Sequence, residues 1–368
     1  MRKGIALLLV SACSAAPAGV STPAATTASA PGSALPPASI ASATSAVPAS
    51  APVVSSAEPS ATASASAPIP GPPFPPPSVA PPFARSARAG DGEWAALPEA
   101  GALGADSMVR TTLRPHTINA FVTVTVVAVD LRKLGLHLVA GTKEPESKNV
   151  PQEKRPGRVP DADQGGLVAV FNGGFMAKHG KHGMMLAGDV FLPPLPNACT
   201  VGVRKDGRVA IGTWTALQAE AESLHAWRQS PPCLVESGTS NPMVRGGDPA
   251  RKYGMAIDGK MTIRRSAVGV DGSGWTLFVA HGEDVTPEHM AEAMRAAGAV
   301  SSAQLDINWS YTRFFLYAHP EAGPPRISAT LVPKIKYAPG SYVTDPAQRD
   351  FFYLARRKQE LVTSPPAR

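Results

Sequence analysis

The chain has 368 residues, 39 of them proline, and its formal net charge at pH 7 is +7. Of these prolines, 17 fall between residues 14 and 90, a stretch with only three charged side chains. Residues 91–368 carry a net charge of +4 from scattered residues, which disfavours a nucleic-acid-binding protein. No apolar run reaches the ~18 residues that a membrane-spanning helix needs. The composition predicts one folded domain, residues 91–368, behind a long tether.

Residues 1–13 have the pattern of an export signal. A basic start at residues 2–3 precedes an apolar segment at residues 5–10, and small residues then lead to Cys13. The tetrapeptide that ends at Cys13 resembles the lipobox of bacterial lipoproteins, in which the cysteine is lipidated. This resemblance implies an exported lipoprotein of the bacterial cell envelope, held at a membrane through its lipid anchor only. The alternative is an ordinary secretory signal that contains a cysteine.

Residues 14–90 are built mainly from Ala, Ser, Thr and Pro. They lack the apolar periodicity needed to bury a face, so we expect a disordered linker, with polyproline II over residues 68–82. A Pro-rich recognition motif is the alternative, disfavoured because such ligands usually carry adjacent Arg or Lys. The stretch is predicted to be a tether that lifts the domain off a membrane.

Short apolar runs of β type, most of them bounded by turn residues, dominate the domain. Residues 205–207 contain the Asp-Gly pair that is typical of a hairpin turn. One segment, residues 216–229, has helical spacing of its apolar residues instead. The predicted strands outside the unit described next are residues 121–131, 136–140, 167–171, 201–204, 209–211 and a closing strand at 351–353.

A strand–helix–strand unit follows in the second half of the domain. Thr286 is a suitable N-cap with Pro287 in the first helical position, and Gly298 ends the helix. Strands are predicted at residues 275–280 and 304–307. Together these elements predict an α+β fold, a single domain with a mixed, strand-rich sheet packed by helices.

Cys199 and Cys233 are the two cysteines of the domain. Outside the cytoplasm such a pair can form a disulfide, and two separate buried thiols are the alternative. A metal site is disfavoured, because neither cysteine has a CxxC partner or a nearby spaced pair of histidines.

The sequence Asn172-Gly173-Gly174 ends a buried strand, where Gly pairs allow sharp turns and close backbone approach to a ligand. The alternative is a simple strand-ending turn. A basic loop at residues 178–183 follows and includes His182. It is suited to an anionic pocket, and a surface loop is its alternative.

Two further candidates are Arg265, in an Arg-Arg pair before a strand of small residues, and Asp306, inside an apolar strand. The planar guanidinium of arginine suits a phosphate, although the pair is equally compatible with a solvated strand edge. A carboxylate in an apolar strand usually has a partner or a task, and the alternative is a structural aspartate that caps backbone groups.

The order of these motifs resembles the phosphodiester glycosidase family, bacterial relatives of N-acetylglucosamine-1-phosphodiester alpha-N-acetylglucosaminidase. A strand ending in Asn-Gly-Gly-Phe is followed by Pro-Cys-Leu-Val-x-x-Gly, Arg-Ser-Ala-Val-Gly and a strand ending in Leu-Asp. The resemblance spans residues 121–315. Ser266 stands where the family has threonine, and residues 307–309 replace three glycines that follow the family's aspartate.

The resemblance implies hydrolysis of a sugar-1-phosphate diester at the anomeric carbon. In this hypothesis Arg265 binds the phosphate, the turn at residues 172–174 adds donors, and Asp306 is the base or electrostatic stabiliser. Glu236 is a second carboxylate candidate, and His182 is placed among the substrate-binding residues.

Ile307 and Trp309 are expected to crowd or reshape the pocket because they replace glycines, whereas Asn308 and Ser310 are expected to donate hydrogen bonds to substrate. The expected partner is a phosphosugar or an envelope glycan, with no nucleic acid. No cofactor is predicted, and a divalent metal is left open. The alternative function is a glycan- or envelope-binding lipoprotein whose catalytic site is disabled by the lost glycines.

Overall fold

The computed structural model describes residues 71–256 and 258–358. The predicted signal, Cys13 and most of the predicted tether therefore lie outside the described residues. Within the described ranges, no helix has both the length and the apolar character needed to cross a membrane.

The described part is rich in short strands. In chain order they are β1 (Ala95–Ala96), β2 (Met108–Leu113), β3 (Val124–Asp130), β4 (Leu134–Val139), β5 (Leu167–Asn172), β6 (Met184–Leu186), β7 (Asp189–Leu192), β8 (Cys199–Arg204), β9 (Val209–Thr213), β10 (Leu224–Ser230), β11 (Val235–Glu236), β12 (Thr239–Ser240), β13 (Ile263–Val270), β14 (Thr276–Val285), β15 (Ser301–Ile307), β16 (Phe314–Ala318), β17 (Arg326–Thr330) and β18 (Phe351–Arg356).

Helices are few and mostly short in the same residues. The α-helices are α1 (Gly101–Gly104), α2 (Asp161–Gln164), α3 (Trp214–Leu217), α4 (Pro249–Tyr253) and α5 (Pro287–Ala296). The 3-10 helices are Pro98–Ala100, Gln152–Lys154, Gln218–Ser223 and Pro242–Val244.

The strands form three sheets. The first sheet has the order β1-β2-β3-β14-β13-β15-β11-β12, the second β7-β6-β10-β8-β9, and the third β17-β16-β5-β18-β4. All ladders between these strands are antiparallel, and the described residues add one isolated parallel bridge between Ser341 and Asp345. A strand-rich single domain with few helices is thus confirmed.

The strand–helix–strand unit is confirmed as β14-α5-β15. The Thr286 hydroxyl accepts a hydrogen bond from the backbone N of His289 at 3.2 Å, which caps α5. Gly298 has φ +99°, the left-handed conformation that ends helices. The two strands do not pair with each other, because β13 lies between them and is antiparallel to both.

One apolar core joins the three sheets. It includes Val127 of the first sheet, Val201 of the second and Phe352 of the third, each almost without solvent exposure. A disulfide between Cys199 and Cys233 links the start of β8 to the segment before β11. Of the two alternatives for these cysteines, the disulfide is therefore the one that forms, and it ties the second sheet to the first.

The predicted boundary at residue 91 is wrong, because residues 71–90 pack on the first sheet. The backbone N of Val79 donates to Gly92 O at 3.0 Å, and the indole of Trp94 donates to Pro77 O at 3.0 Å. Phe74, Val79 and Trp94 also contact the apolar cluster under this sheet. Scattered apolar residues and free carbonyl groups are enough to dock this Pro-rich segment, so composition alone mispredicts it.

The helix predicted over residues 216–229 is confirmed only as far as residue 223 and is wrong for the rest. A single turn at α3 passes into a 3-10 helix, and residues 224–230 are strand β10. β10 pairs with both β6 and β8. Because β10 has one ladder on each side, strand pairing outweighs the helical spacing of its side chains.

Candidate functional site

Two cavities meet at the ends of strands from the first and third sheets. The large cavity has a volume of about 820 Å³ and the small cavity about 410 Å³. Asp306, Tyr311 and Arg349 line both. A ligand that spans the two cavities would therefore pass these three side chains.

Asp306 lies near the end of β15 and is almost buried, with 6% of its surface exposed. Its backbone N donates to Gly173 O at 3.1 Å, and its Oδ1 accepts from the backbone N of Ile307 at 2.9 Å. Burial raises the pKa of this carboxyl to about 7, against the lowering effect of the Arg349 charge. Asp306 can therefore gain or lose a proton near neutral pH.

Arg349 is the cation at this junction, and no sequence motif pointed to it. Its Nη2 forms an ion pair with Asp306 and donates to Gly174 O at 3.2 Å, and its guanidinium lies 4.3 Å from the ring centre of Tyr311. Among the described residues, its Nε and Nη1 have no hydrogen-bond partner. These two groups are available to an anion in the cleft.

The register of the third sheet brings Arg349 to the junction. Phe351, the first residue of β18, lies opposite Asn172, the last residue of β5. The two residues before Phe351 therefore lie beside the turn that follows Asn172. Only this long-range pairing reveals the arrangement.

Gly173 and Gly174 are required by the close approach of Asp350. Gly173 N donates to Asp350 O at 3.1 Å, and Gly174 N donates to its Oδ2 at 2.9 Å. A Cβ on Gly173 would lie 2.6 Å from Asp350 O, and one on Gly174 would lie 2.7 Å from Cζ of Arg228. The expected donation from these two N–H groups to a ligand is therefore wrong, because both donate to protein.

Asp350 is itself held by Arg228, which comes from β10 of the second sheet. The Nε of Arg228 lies 2.9 Å from Oδ2 of Asp350, and both side chains are shielded from solvent. Arg228 also donates to the carbonyl oxygens of Phe175 at 2.6 Å and His182 at 2.8 Å. All three sheets thus contribute to the support of the site.

Asn172 connects the third sheet to the strand that carries Asp306. Its Nδ2 lies 3.0 Å from the Ser266 hydroxyl, which donates to Asp306 O at 2.8 Å, and its Oδ1 accepts from the backbone N of Arg313 at 3.0 Å. Asn172 lines the small cavity, but these contacts make it a positioning residue.

Arg265 does not line either cavity, so the predicted phosphate contact is wrong. The side chain is fully buried in β13, and burial lowers its pKa to about 10. All five of its N–H groups donate to protein oxygens at 2.8–3.1 Å. The acceptors are Val285 O, Tyr253 O, Gln304 Oε1, Gly254 O and Met261 O. Arg265 therefore anchors both ends of the segment at residues 253–261.

Glu236 and Ser310 also lie outside both cavities. The Oε1 of Glu236 accepts from the backbone N of Thr213 at 2.7 Å, a structural contact between β11 and β9. Ser310 is exposed and offers its backbone oxygen to Arg313 at 3.4 Å. Neither residue has the predicted role in this arrangement.

His182 and Asn308 do line the large cavity. Burial, with a smaller effect from Arg228, lowers the pKa of His182 to about 4, so the imidazole is neutral at pH 7. Its buried Nδ1 has no hydrogen-bond partner among the described residues. Asn308 adopts φ +95°, and its Oδ1 accepts from the backbone N of Trp309 at 2.6 Å.

The two bulky replacements beside Asn308 behave differently from one another. Ile307 lines the large cavity and packs with Phe175 and Ile263. Trp309 lines neither cavity and lies over the Arg264 guanidinium, 4.5 Å from ring centre to Cζ. The expected crowding by Trp309 is therefore wrong.

In the described part of the chain, no three His, Cys, Asp or Glu side chains are grouped so that they could hold a metal ion.

Residues 165–310 match the family model described as phosphodiester glycosidase. This range contains Asn172, Arg228 and Asp306, whereas Arg349 and Asp350 follow it. Among curated proteins, no sequence matches the chain.

Two solved structures are similar to this chain at low sequence identity. The catalytic domain of zebrafish N-acetylglucosamine-1-phosphodiester alpha-N-acetylglucosaminidase, described as auto-inhibited by its pro-peptide, is 15% identical, with a TM-score of 0.41 over 70% of this chain and 90% of that one. A hypothetical protein from Synechocystis is 10% identical, with a TM-score of 0.38 over 69% of this chain and 63% of that one.

Proposed function

We propose that the chain is a hydrolase that cleaves a sugar-1-phosphate diester at the anomeric carbon, because residues 165–310 match the model of the phosphodiester glycosidase family. One arrangement supports the proposal independently of the family match. Asp306, whose pKa burial raises to about 7, forms an ion pair with Arg349 where the two cavities meet, and Nε and Nη1 of Arg349 have no hydrogen-bond partner among the described residues. The bond to be broken has the sugar on one side and the phosphate with its other ester group on the other side. Two adjoining cavities suit these two halves.

In this proposal Arg349 binds the phosphate. Two of its N–H groups have no partner in the described residues, and the ring of Tyr311 fixes the plane of the guanidinium. A planar pair of donors fits two phosphate oxygens. The negative charge that grows on the leaving phosphate is then stabilised by a group already in place.

Asp306 acts as the base or as the electrostatic stabiliser. The bond between the anomeric carbon and the phosphate oxygen breaks, and the electron pair leaves with the phosphate. A water oxygen bonds to the anomeric carbon and releases its proton to the Asp306 carboxylate. A base with a pKa near 7 suits this transfer at neutral pH, and a phosphate leaving group needs little acid assistance.

The test is hydrolysis of UDP-N-acetylglucosamine and related sugar-1-phosphate diesters by the full chain. Release of free sugar and of the phosphate-bearing product would be followed for wild type, Asp306→Asn and the control Asp284→Asn, an exposed residue on β14. We expect release by wild type and the control and loss of at least about a hundredfold in Asp306→Asn. Equal rates in all three proteins would overturn the role of Asp306.

The second candidate is a glycan-binding protein without turnover. The replacement of the family's glycines favours it, whereas the glycine-like backbone of Asn308 at φ +95° favours a preserved turn. Saturable binding of phosphosugars by folded protein, without release of any product, would support this candidate against the hydrolase.

We also propose that the chain is exported and anchored through a lipid on Cys13, with an envelope phosphosugar or glycan as its partner. The basic start, short apolar segment and small residues before Cys13 support this proposal. Growth with an alkyne analogue of palmitate should label the wild-type chain and leave Cys13→Ser unlabelled. Equal labelling of the two would contradict the proposal.

A further inference from the structure

The two cavities differ in charge. Among the described residues that line the large cavity, Asp306 is the one carboxylate, whereas Arg251, Lys252 and Arg349 are cationic. The small cavity combines its cations with several carboxylates, including those of Glu144 and Asp345. An anionic group therefore has a more favourable site in the large cavity than in the small one.

Arg251 and Lys252 are poorly neutralised by their surroundings. The Nε of Arg251 is 3.9 Å from Asp248 Oδ2, a distant contact between exposed side chains. In the part of the chain that the structure describes, Lys252 has no acidic partner within 4.0 Å. Both charges are thus available to a ligand.

The backbone beneath these two cations is fixed. Tyr253 O, at the end of α4, accepts hydrogen bonds from Arg265 Nη1 at 2.9 Å and from Gln304 Nε2 at 2.8 Å. The Tyr253 side chain is fully buried, and its hydroxyl donates to Cys233 O at 3.3 Å. The rim of the large cavity is therefore held on a buried base, which limits the entropy lost when a ligand binds.

Apolar side chains form much of the rest of the large cavity. They include Phe175, Leu195, Pro231, Pro232 and the half-exposed Met255. A volume of about 820 Å³ is ample for an organic group beyond the phosphate. The cavity therefore combines an apolar wall with a cationic rim.

We infer that the large cavity binds the leaving half of the substrate and that this half carries a second phosphate group, held by Arg251 and Lys252. The inference rests on the proposed function and deepens it, since Arg349 holds the first phosphate and the sugar occupies the small cavity. The second phosphate belongs either to a diphosphate or to the next unit of a polyol phosphate chain. Both sources place two phosphates within a few bonds of each other.

Calorimetry at low ionic strength would test this inference by measuring the binding of phosphate compounds to the full chain. The probes are orthophosphate, inorganic pyrophosphate and 1,3-propanediol bisphosphate, and the variant is Arg251→Gln/Lys252→Gln. The control Lys205→Gln/Lys336→Gln removes the same charge from exposed residues that line neither cavity.

We expect wild type and control to bind at least one bisphosphate about tenfold or more tightly than orthophosphate, and the variant to lose this preference. The preferred spacing, adjacent phosphates or phosphates three carbons apart, identifies the source. A wild type that binds all three probes equally would overturn the inference, and so would a variant that keeps the preference.

Turnover separates this inference from the proposed function. UDP-N-acetylglucosamine and the methyl phosphodiester of N-acetylglucosamine 1-phosphate share a sugar. They differ in the leaving group, which is a nucleoside diphosphate with a second phosphate in the first and methyl phosphate in the second. We expect Arg251→Gln/Lys252→Gln to lower kcat/KM for the first substrate and spare the second. Tight bisphosphate binding that depends on Arg251 and Lys252, without turnover of any sugar diester, would sustain the second phosphate site in the large cavity. It would overturn the proposed hydrolysis and, with it, the assignment of this cavity to a leaving group.

Discussion

Arg228 and Asp350 form an ion pair that solvent does not reach, with Nε of Arg228 2.9 Å from Oδ2 of Asp350. The same oxygen accepts a hydrogen bond from Gly174 N at 2.9 Å. The pair therefore holds the turn after β5 against β10. This turn also supports the residue that carries the proposed catalytic carboxylate, because Gly173 O accepts a hydrogen bond from Asp306 N at 3.1 Å.

We predict that Asp350→Asn lowers the free energy of unfolding by about 3–5 kcal/mol, because it leaves the Arg228 charge buried without a counter-ion. Urea unfolding would measure the change. The control is Asp206→Asn, which breaks a surface pair with Arg208 and should cost less than about 1 kcal/mol. Similar small losses in both variants would show that the buried pair has little energetic weight.

We predict that Gly173→Ala abolishes sugar-diester hydrolysis and destabilises the fold, because the added Cβ would overlap Asp350 and displace the Asp306 strand. Gly165→Ala is the matched control. Gly165 is exposed, has φ −62°, and its added Cβ would meet no atom within 4 Å. The control should keep its activity and stay within about 1 kcal/mol of wild-type stability. Full activity in Gly173→Ala would contradict the packing argument.

We predict a pH-dependent stability difference between wild type and Asp306→Asn. The folded carboxyl has a pKa of about 7, whereas its ordinary value is 3.8, so folding favours the protonated form. Wild type therefore loses stability as the pH rises from 4 through 7, while Asn does not titrate. Between pH 4 and pH 8 the difference should change by up to about 4 kcal/mol in favour of the variant. Parallel pH curves from urea unfolding would refute the raised pKa.

The pH–rate profile of Arg349→Gln gives a separate prediction. The Arg349 charge lowers the pKa of Asp306, so its removal should raise that pKa further. If the carboxylate is the active form, the rising limb of kcat/KM should move to higher pH, whatever the overall loss of rate. Lys336→Gln removes an equal charge from an exposed site and should leave the limb in place. If the rising limb of Arg349→Gln stays at the wild-type pH, the pKa seen in kcat/KM does not belong to Asp306.

We predict that Arg265→Lys lowers stability by about 2–4 kcal/mol, because a lysine cannot satisfy the five acceptors that Arg265 reaches. Limited proteolysis should then cut within residues 253–261. Below the unfolding temperature, KM should change far less than in Arg349→Gln. A raised KM with unchanged stability would instead restore Arg265 as a phosphate ligand.

Local signals in the sequence were sufficient for several elements. The cap at Thr286 and the stop at Gly298 predicted α5, and the Asp-Gly turn predicted the β8–β9 hairpin. Asp306 was recognised because a carboxylate inside an apolar strand needs a partner, and Arg349 is that partner. Each of these predictions depends on residues that are close together in the chain.

The partners themselves could not be predicted in the same way. Asp350 lies 176 residues from Gly174, and only the pairing of β18 with β5 brings them together. The direction of the side chains could not be predicted from the sequence either. Arg265 points into the protein, and Glu236 points toward the backbone of β9. Residue type and spacing identify chemical capacity, whereas sheet register determines which groups meet.

The backbone at Asn308 has a consequence for recognising distant relatives of this chain. Among residues 307–309, only Asn308 has a positive φ, at +95°, whereas Ile307 and Trp309 have backbone conformations that any L-residue can adopt. Asparagine tolerates the left-handed region better than most residues. A search pattern that demands three consecutive glycines would therefore reject sequences able to form this turn. One that asks for Gly or Asn at the middle position alone would retain them.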